Sequence, residues 1–227
     1  MKMGSLVGTY IFGSVGRGQN DDRSDLDLLA VVQNGSGKVE ESSVLACVPT
    51  RFANMKPSIS WYGQDRIREM YQNGELFAWH LHAETIPVFE LHPFLASLGR
   101  PQPYEDSALD VGSFQKVLRG IPEQIASNQY NVIYEAGLIY VCVRNIAMAA
   151  SWKLCRRPDF SRYSPFNLGS VGQCPISIEE YEITMACRMA SQRGITPPAR
   201  LKDTFVMDAY SRLVPWTDEI LSALNED

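Results

Sequence analysis

The sequence predicts an α+β protein of 227 residues, in which a sheet with helices is followed by a helical bundle. Two observations predict this fold class. Short apolar runs of the kind that forms β-strands occupy the first part of the chain, at residues 5–12, 26–32, 59–61 and 85–89. Beyond residue 105 the apolar residues recur at helical spacing, which predicts four helices, at about 106–127, 130–153, 177–192 and 203–224.

A proline-rich stretch separates the two patterns. Pro93, Pro101 and Pro103 interrupt both periodicities and indicate a connection between domains. We therefore predict one domain over residues 1–100 and a helical domain over residues 101–227. A shorter helix is predicted to begin near Gln64 and to end at Gly74, which places a helix between two strands of the first domain.

The composition excludes several classes of protein. With 45% hydrophobic and 21% charged residues the chain is neither fibrous nor disordered. The five cysteines form no CxxC pair, so neither a disulfide framework nor a zinc ribbon is predicted. The first ten residues lack the apolar core of a signal peptide, and the apolar run inside residues 132–150 is shorter than a bilayer requires. We expect a cytoplasmic protein without a membrane partner and leave its oligomeric state open.

The charge distribution predicts no general nucleic-acid surface. The net charge is −5, and such a surface needs clustered basic residues. The one dense group, which Asp159 interrupts, is Lys153, Arg156, Arg157 and Arg162. A solvated helix end explains this group best, and a site for polyphosphate or an acidic partner is the alternative.

One segment near the N-terminus carries the residue types of a phosphate and metal site. A predicted strand runs into Gly13-Ser14, where backbone N–H groups can approach an anion closely. Asp25 and Asp27 follow on a predicted strand, whose period of two points both carboxylates to the same face. Paired carboxylates together with substrate phosphates are ligands that suit Mg²⁺.

Two common nucleotide-binding motifs do not fit this segment. A P-loop requires a lysine after its glycines, and a dinucleotide fingerprint requires G-x-G-x-x-G; Gly13, Gly16 and Gly18 satisfy neither pattern. A purely structural alternative is a glycine turn that joins two strands beside a solvated acidic cluster. The combination of turn and carboxylates favours a site over this alternative.

Three segments are Gly13-Ser14, Arg17-Gly18 and Ser24-Asp25-Leu26-Asp27-Leu28. Together they resemble the signature of the DNA polymerase β-like nucleotidyltransferase superfamily, particularly its minimal and antibiotic-modifying members. The resemblance implies a mixed sheet and the transfer of a nucleoside monophosphate from an NTP, with ATP as the expected donor, to a hydroxyl of a small molecule or protein. It also implies that pyrophosphate is released. Asp25 and Asp27 would be catalytic and hold Mg²⁺ or Mn²⁺. The nucleotide would be bound by Gly13, Ser14, Arg17 and Ser24.

The sequence departs from that family at one position. Members usually supply a third carboxylate from a later strand, and the corresponding run here, residues 56–62, contains no acid. We expect Ser60 at that place. A nucleotide-binding regulatory module without turnover is therefore kept as an alternative function, and an interaction protein that retains an old motif is a third.

Three further residue groups are compatible with both a functional and a structural role. In two-domain antibiotic-modifying members the base that accepts the hydroxyl proton can be a glutamate of the helical domain, and the resemblance implies Glu135 for this role because it is the only acid in an otherwise apolar helix. A core salt bridge or a glutamate at a helix start is the structural alternative. His80 and His82 could bind a metal together with Glu84, but partly exposed histidines are the favoured interpretation. Arg144 is not followed by the histidine of the RNases that partner minimal nucleotidyltransferases, so RNase activity is not predicted.

Overall fold

A computed structural model describes residues 5–22, 24–155, 157–169, 173–194, 196–198 and 201–226. The chain divides into two compact units, Met1–Glu105 and Asp106–Asp227. The first unit contains the strands and the second is helical. Each unit is described by itself.

A four-stranded mixed sheet forms the centre of the first unit. Its strands are β1 (Leu6–Ile11), β2 (Leu26–Val32), β3 (Pro57–Gly63) and β4 (Ile86–Glu90). Their order is β3-β2-β1-β4, with β1 antiparallel to both β2 and β4 and with β2 parallel to β3. The predicted α+β class is confirmed. β3 extends beyond the predicted residues 59–61. Its first residues, Pro57 and Ser58, are exposed and lack an apolar pattern, so the sequence does not indicate that they belong to a strand.

The sheet is covered on both faces, which explains why β2 is apolar almost throughout. On one face Leu29 and Val31 pack with residues of two helices that follow β3. On the other face Leu26 and Leu28 pack with Val44 and with the loop between residues 45 and 56. Asp27 is the single half-buried residue of a strand that is otherwise buried.

The helices of the first unit are short. They are α1 (Gly13–Gly16), α2 (Glu41–Leu45), α3 (Gln64–Gln72), α4 (Leu76–Glu84) and α5 (Phe94–Ser97), with a 3₁₀ turn at Thr50–Phe52. The predicted helix from Gln64 is α3. α4 is not predicted from the sequence. Its buried residues Ala78, Trp79, Leu81 and Glu84 lie around the helix and produce no one-sided apolar stripe.

The second unit contains the four predicted helices within the described residues. They are α6 (Ser107–Ser127), α7 (Val132–Leu154), α8 (Ile178–Arg193) and α9 (Asp203–Asn225), with 3₁₀ turns at Gln129–Asn131 and Ser164–Phe166. α7 packs against the other three helices. At its closest approach to α8, a Cβ at Gly137 would lie 2.8 Å from the backbone of Arg188, so only glycine allows this packing.

α7 is also long and apolar enough to cross a membrane by length and composition, and its most apolar window is 61% buried inside the unit. The sequence analysis predicts a buried helix here, and the burial of Ile139, Val143 and Ile146 agrees with that prediction. α7 is thus the central helix of its unit.

Candidate functional site

The glycine turn predicted from the sequence is the short helix α1, which connects β1 to the segment before β2. Hydrogen bonds hold it at both ends. The N–H of Phe12 donates to the carbonyl of Asp27 at 3.1 Å, and the N–H of Arg17 donates to the carbonyl of Gly13 at 3.0 Å. The amide groups of a first helical turn have no acceptor within the helix, so they are available to an anion.

Gly13 lies directly against the carboxylate of Asp27. Its φ is 69°, in the left-handed region that favours glycine. A Cβ on Gly13 would meet Oδ2 of Asp27 and would lie 3.2 Å from its Cγ. The structure therefore brings together the two halves of the predicted site, the glycine turn and the acidic strand.

The two aspartates hold different positions relative to β2. Asp27 is the second residue of the strand, whereas Asp25 immediately precedes the strand, so only one of the two carboxylates lies on β2 itself. Both residues are half-buried. Alternation along the strand places Asp27 on the face of Leu29 and Val31.

The neighbouring strand β3 shows which residue lies beside Asp27. In the parallel register Asp27 pairs with Ser58, and Leu29 pairs with Ser60. Paired residues of neighbouring strands project to the same face, so both serines share the face of Asp27. The sequence predicts Ser60 at this place and gives no sign of Ser58, because the strand register cannot be read from one strand alone.

The remaining predicted nucleotide ligands are Ser14, Ser24 and Arg17. Ser14 lies in the first turn of α1 and is half-buried. The hydroxyl of Ser24 donates to Oδ1 of Asp21 at 2.8 Å and accepts the N–H of Asp21 at 3.0 Å, which closes a turn just before Asp25. The guanidinium of Arg17 donates from NH1 to Glu84 at 2.6 Å and from Nε to Gln19 at 3.0 Å. A role of Ser14, Ser24 and Arg17 in nucleotide binding stays a prediction.

Glu135 lies in the second unit, in the first turn of α7, and is 2% exposed. Its Oε2 has no hydrogen-bond partner among the described residues. Burial raises the pKa of the Glu135 carboxyl, and this carboxylate contributes, after burial, to raising the pKa of Cys142 to about 12. A buried carboxyl oxygen without a partner is costly to the fold, and the role of Glu135 as a base stays a prediction.

The two histidines singled out in the sequence have structural partners. His82 is exposed and its ring lies 5.9 Å from that of Trp79, whereas Nε2 of His80 lies 2.7 Å from Oε2 of Glu84. Of the basic group, Arg156 lies outside the described residues, Lys153 and Arg157 are exposed, and Arg162 is half-buried.

Within the described ranges no group of three or more His, Cys, Asp or Glu side chains could hold a metal ion by itself. This includes the set His80, His82 and Glu84. The Asp27 carboxylate beside the glycine turn, with Asp25 two residues before it, still fits Mg²⁺ when a substrate supplies the remaining oxygens, since Mg²⁺ is commonly bound by one or two carboxylates and substrate phosphates.

Comparison with known proteins gives structural matches and no sequence match. No protein-family profile and no curated protein matches the chain. Among solved structures, the spectinomycin adenyltransferase AAD(9) from Enterococcus faecialis, in complex with ATP and spectinomycin, matches with a TM-score of 0.47 and 12% identity over 93% of each chain. A nucleotidyltransferase-like protein from Exiguobacterium sibiricum matches with a TM-score of 0.38 and 13% identity, over 97% of this chain and 70% of that one.

The chain is similar in structure to these two proteins.

The contact between Gly13 and Asp27 predicts an unusual cost for a small substitution. Gly13→Ala should unfold at a clearly lower temperature than Gly18→Ala, because both glycines have nearly the same positive φ, but a Cβ meets the Asp27 carboxylate only at Gly13. The left-handed backbone costs about 1–2 kcal/mol in each variant, and the contact adds about 1–3 kcal/mol. Thermal unfolding of both variants measures the difference.

A second substitution separates this contact from general damage. Asp27→Ala in the Gly13→Ala background removes the Oδ2 and Cγ atoms that the new methyl group meets, and it should recover part of the lost stability. Equal midpoints for Gly13→Ala and Gly18→Ala would contradict the assignment of Asp27 to this position.

Because Glu135 is buried, replacing its carboxyl by a neutral group should stabilise the protein by an amount that depends on pH. Because burial raises the pKa of this carboxyl above its ordinary value of 4.5, the folded protein holds the proton more tightly than the unfolded chain, and its free energy of unfolding falls as pH rises above 4.5. Glu135→Gln cannot ionise. At pH 8 the variant should unfold at a higher temperature than the wild type. The midpoint should rise by about 2–4 °C for each 1 kcal/mol gained in the free energy of unfolding, and the difference should shrink towards pH 4.5.

Glu179→Gln serves as the control, since Glu179 is exposed on a helix of the same unit. A Glu135→Gln variant that is less stable than the wild type at pH 8 would show instead that the Glu135 carboxylate is ionised and paired.

Proposed function

We propose that this protein is a Mg²⁺-dependent nucleotidyltransferase, which moves a nucleoside monophosphate from an NTP, with ATP as the expected donor, to a hydroxyl of a small molecule or a protein. The observation that supports it best is the position of Gly13 against the Asp27 carboxylate. The fold holds a glycine turn and a carboxylate next to each other, and a metal-bound triphosphate requires an anion-binding turn and a metal-binding carboxylate in such an arrangement.

The reaction assigns a task to each part of the site. The acceptor oxygen attacks the α-phosphorus, the bond to the bridging oxygen breaks, and pyrophosphate leaves with the electron pair. The amide groups at Gly13 and Ser14 would bind the terminal phosphates, and Asp25 and Asp27 would hold the ion. Mg²⁺, when bound, neutralises charge on the phosphates and on the leaving oxygen. The hydroxyl proton passes to a base, for which Glu135 is the candidate.

The acceptor is assigned only by class. The net charge of −5 suits a cationic acceptor such as an aminoglycoside, since opposite charge raises its local concentration. A protein hydroxyl is equally compatible with the site. A cytoplasmic location is part of the proposal, because the five cysteines are free thiols.

Substitution of the site carboxylates tests the proposal without knowledge of the acceptor. Asp25→Asn and Asp27→Asn should each weaken the Mg²⁺-dependent binding of the donor NTP by tenfold or more, about 1.4 kcal/mol, because the ion loses an anionic ligand. Their unfolding midpoints should stay near that of the wild type. Calorimetric titration of each of the four NTPs, with and without Mg²⁺, measures the affinities.

Asp65→Asn is the matched control, because Asp65 is exposed on α3 and pairs with Arg68 outside the site. It should bind nucleotide as the wild type does. A wild type that binds no NTP in the presence of Mg²⁺, or variants that bind as tightly as the wild type, would overturn the proposed function.

A second candidate function rests on the face of β3. The residues of β3 that share the Asp27 face are Ser58, Ser60 and Tyr62, and none is an acid. A hydroxyl is a weaker metal ligand and base than a carboxylate. The site could therefore bind a nucleotide without turnover and act as a regulatory module.

Release of pyrophosphate, with water as a substitute acceptor, distinguishes the two candidates. As an enzyme, the wild type should release pyrophosphate from its donor NTP faster than Asp27→Asn. Ser58→Asp, which puts a third carboxylate beside Asp27, should raise the rate tenfold or more, about 1.4 kcal/mol of the barrier. Ser60→Asp, one position further along the face, should raise it less.

A wild-type rate equal to that of Asp27→Asn, together with a gain in Ser58→Asp, would favour the regulatory module. No gain in either serine variant would show that a third carboxylate at these positions does not complete the site.

A further inference from the structure

A buried ion pair connects the glycine turn to the end of α4. NH1 of Arg17, the residue that follows α1, lies 2.6 Å from Oε2 of Glu84, the last residue of α4. The two side chains are 16% and 5% exposed. Charged side chains so well shielded from water are stable only when each is paired with an opposite charge. Removal of one of them leaves the other as an uncompensated buried charge. Glu84 therefore restrains the side chain of Arg17.

His80 is a second partner of the same carboxylate oxygen. It precedes Glu84 by one helical turn, and its Nε2 lies 2.7 Å from Oε2 of Glu84. Its ring also meets that of Phe12 edge to face, with 5.6 Å between the ring centroids. Phe12 is the residue immediately before Gly13, so α4 contacts the turn at its beginning as well as at its end.

The backbone of Glu84 limits the turn sterically. A Cβ at Gly16 would meet the carbonyl oxygen of Glu84, so only glycine lets α1 approach the end of α4 this closely. Glu84 thus contacts α1 through its main chain at Gly16 and through its side chain at Arg17. These contacts lie on the turn that carries Gly13 and Ser14.

We propose that Glu84 is a positioning residue of the nucleotide site: its buried carboxylate fixes Arg17 and, with it, the glycine turn in the geometry that receives the triphosphate. The inference rests on the proposed function. Glu84 is not itself a ligand of the nucleotide, since a carboxylate repels phosphate. It acts through Arg17 and through the backbone of α1, whose Arg17 N–H donates to the Gly13 carbonyl.

The sign of one effect separates positioning from simple charge balance. If Glu84 only compensated the charge of Arg17, its neutralisation would leave a free cation near the phosphates, and nucleotide would bind more tightly. If Glu84 positions the turn, its neutralisation releases Arg17 and α1, and nucleotide binds more weakly. Glu84→Gln keeps the size of the side chain and removes the charge.

The experiment combines hydrogen exchange without nucleotide and nucleotide titration. In Glu84→Gln, amides of the segment 12–18 should exchange at least tenfold faster than in the wild type, while amides of β1 and β2 keep their rates. The Kd for the donor NTP with Mg²⁺ should rise at least tenfold. Glu84→Asp retains the buried charge but withdraws it by one methylene group, so it should give smaller changes in the same direction. This variant replaces Glu84→Gln in both measurements if Glu84→Gln does not fold.

Glu75→Gln is the matched control. Glu75 stands at the other end of α4 and binds Arg66 through both carboxylate oxygens, at 2.6 Å and 2.7 Å. The same substitution there removes an ion pair from the same helix without touching α1. Both exchange of the segment 12–18 and nucleotide affinity should stay within twofold of the wild type.

The outcomes are distinguishable from those of the proposed function. Unchanged exchange of the turn in Glu84→Gln, or nucleotide binding as tight as in the wild type or tighter, would overturn the positioning role. A wild type that binds no NTP would contradict the proposed function alone, because the exchange measurement tests the restraint of the turn in the protein without nucleotide.

Discussion

The site depends on a steric constraint between Gly13 and Asp27. The backbone of Gly13 is left-handed, and the space where a side chain would stand is taken by the Asp27 carboxylate. The carbonyl of Asp27 also accepts the N–H of Phe12 at the start of the turn. This arrangement therefore fixes the Asp27 side chain, Gly13, the end of β1 and the start of β2 relative to one another. A larger residue at position 13 would disrupt it.

The core of the first unit keeps this arrangement in place. β2 is buried along its length apart from Asp27, and its apolar side chains pack in a core on each face of the sheet, so a shift by one residue would require both cores to repack. On its other side the turn contacts α4 through Gly16 and Arg17. The turn thus lies between a strand that is packed on both faces and a helix end that supplies a buried carboxylate. Such preorganisation lowers the cost of binding a multiply charged ligand.

Buried charge is treated differently in the two units. The Glu84 carboxylate has two close cationic or protonatable partners, Arg17 and His80. Oε2 of Glu135 is buried in the second unit without a hydrogen-bond partner among the described residues. Costly groups of this kind are expected where function, not stability, selects the residue. The role of Glu135 as a base stays a prediction.

The sequence by itself determined the fold class, the four long helices, the two central strands and the place of the glycine turn before Asp27, because these follow from apolar periodicity and local backbone chemistry. It did not determine that Ser58 lies beside Asp27, that residues 76–84 form a helix, or that Glu84 binds Arg17, 67 positions away. Register, a helix buried on several sides and a distant ion pair depend on which elements pack together. Only the tertiary structure decides those contacts, because their energies arise between distant segments and the sequence of one segment does not indicate which other segment it will contact.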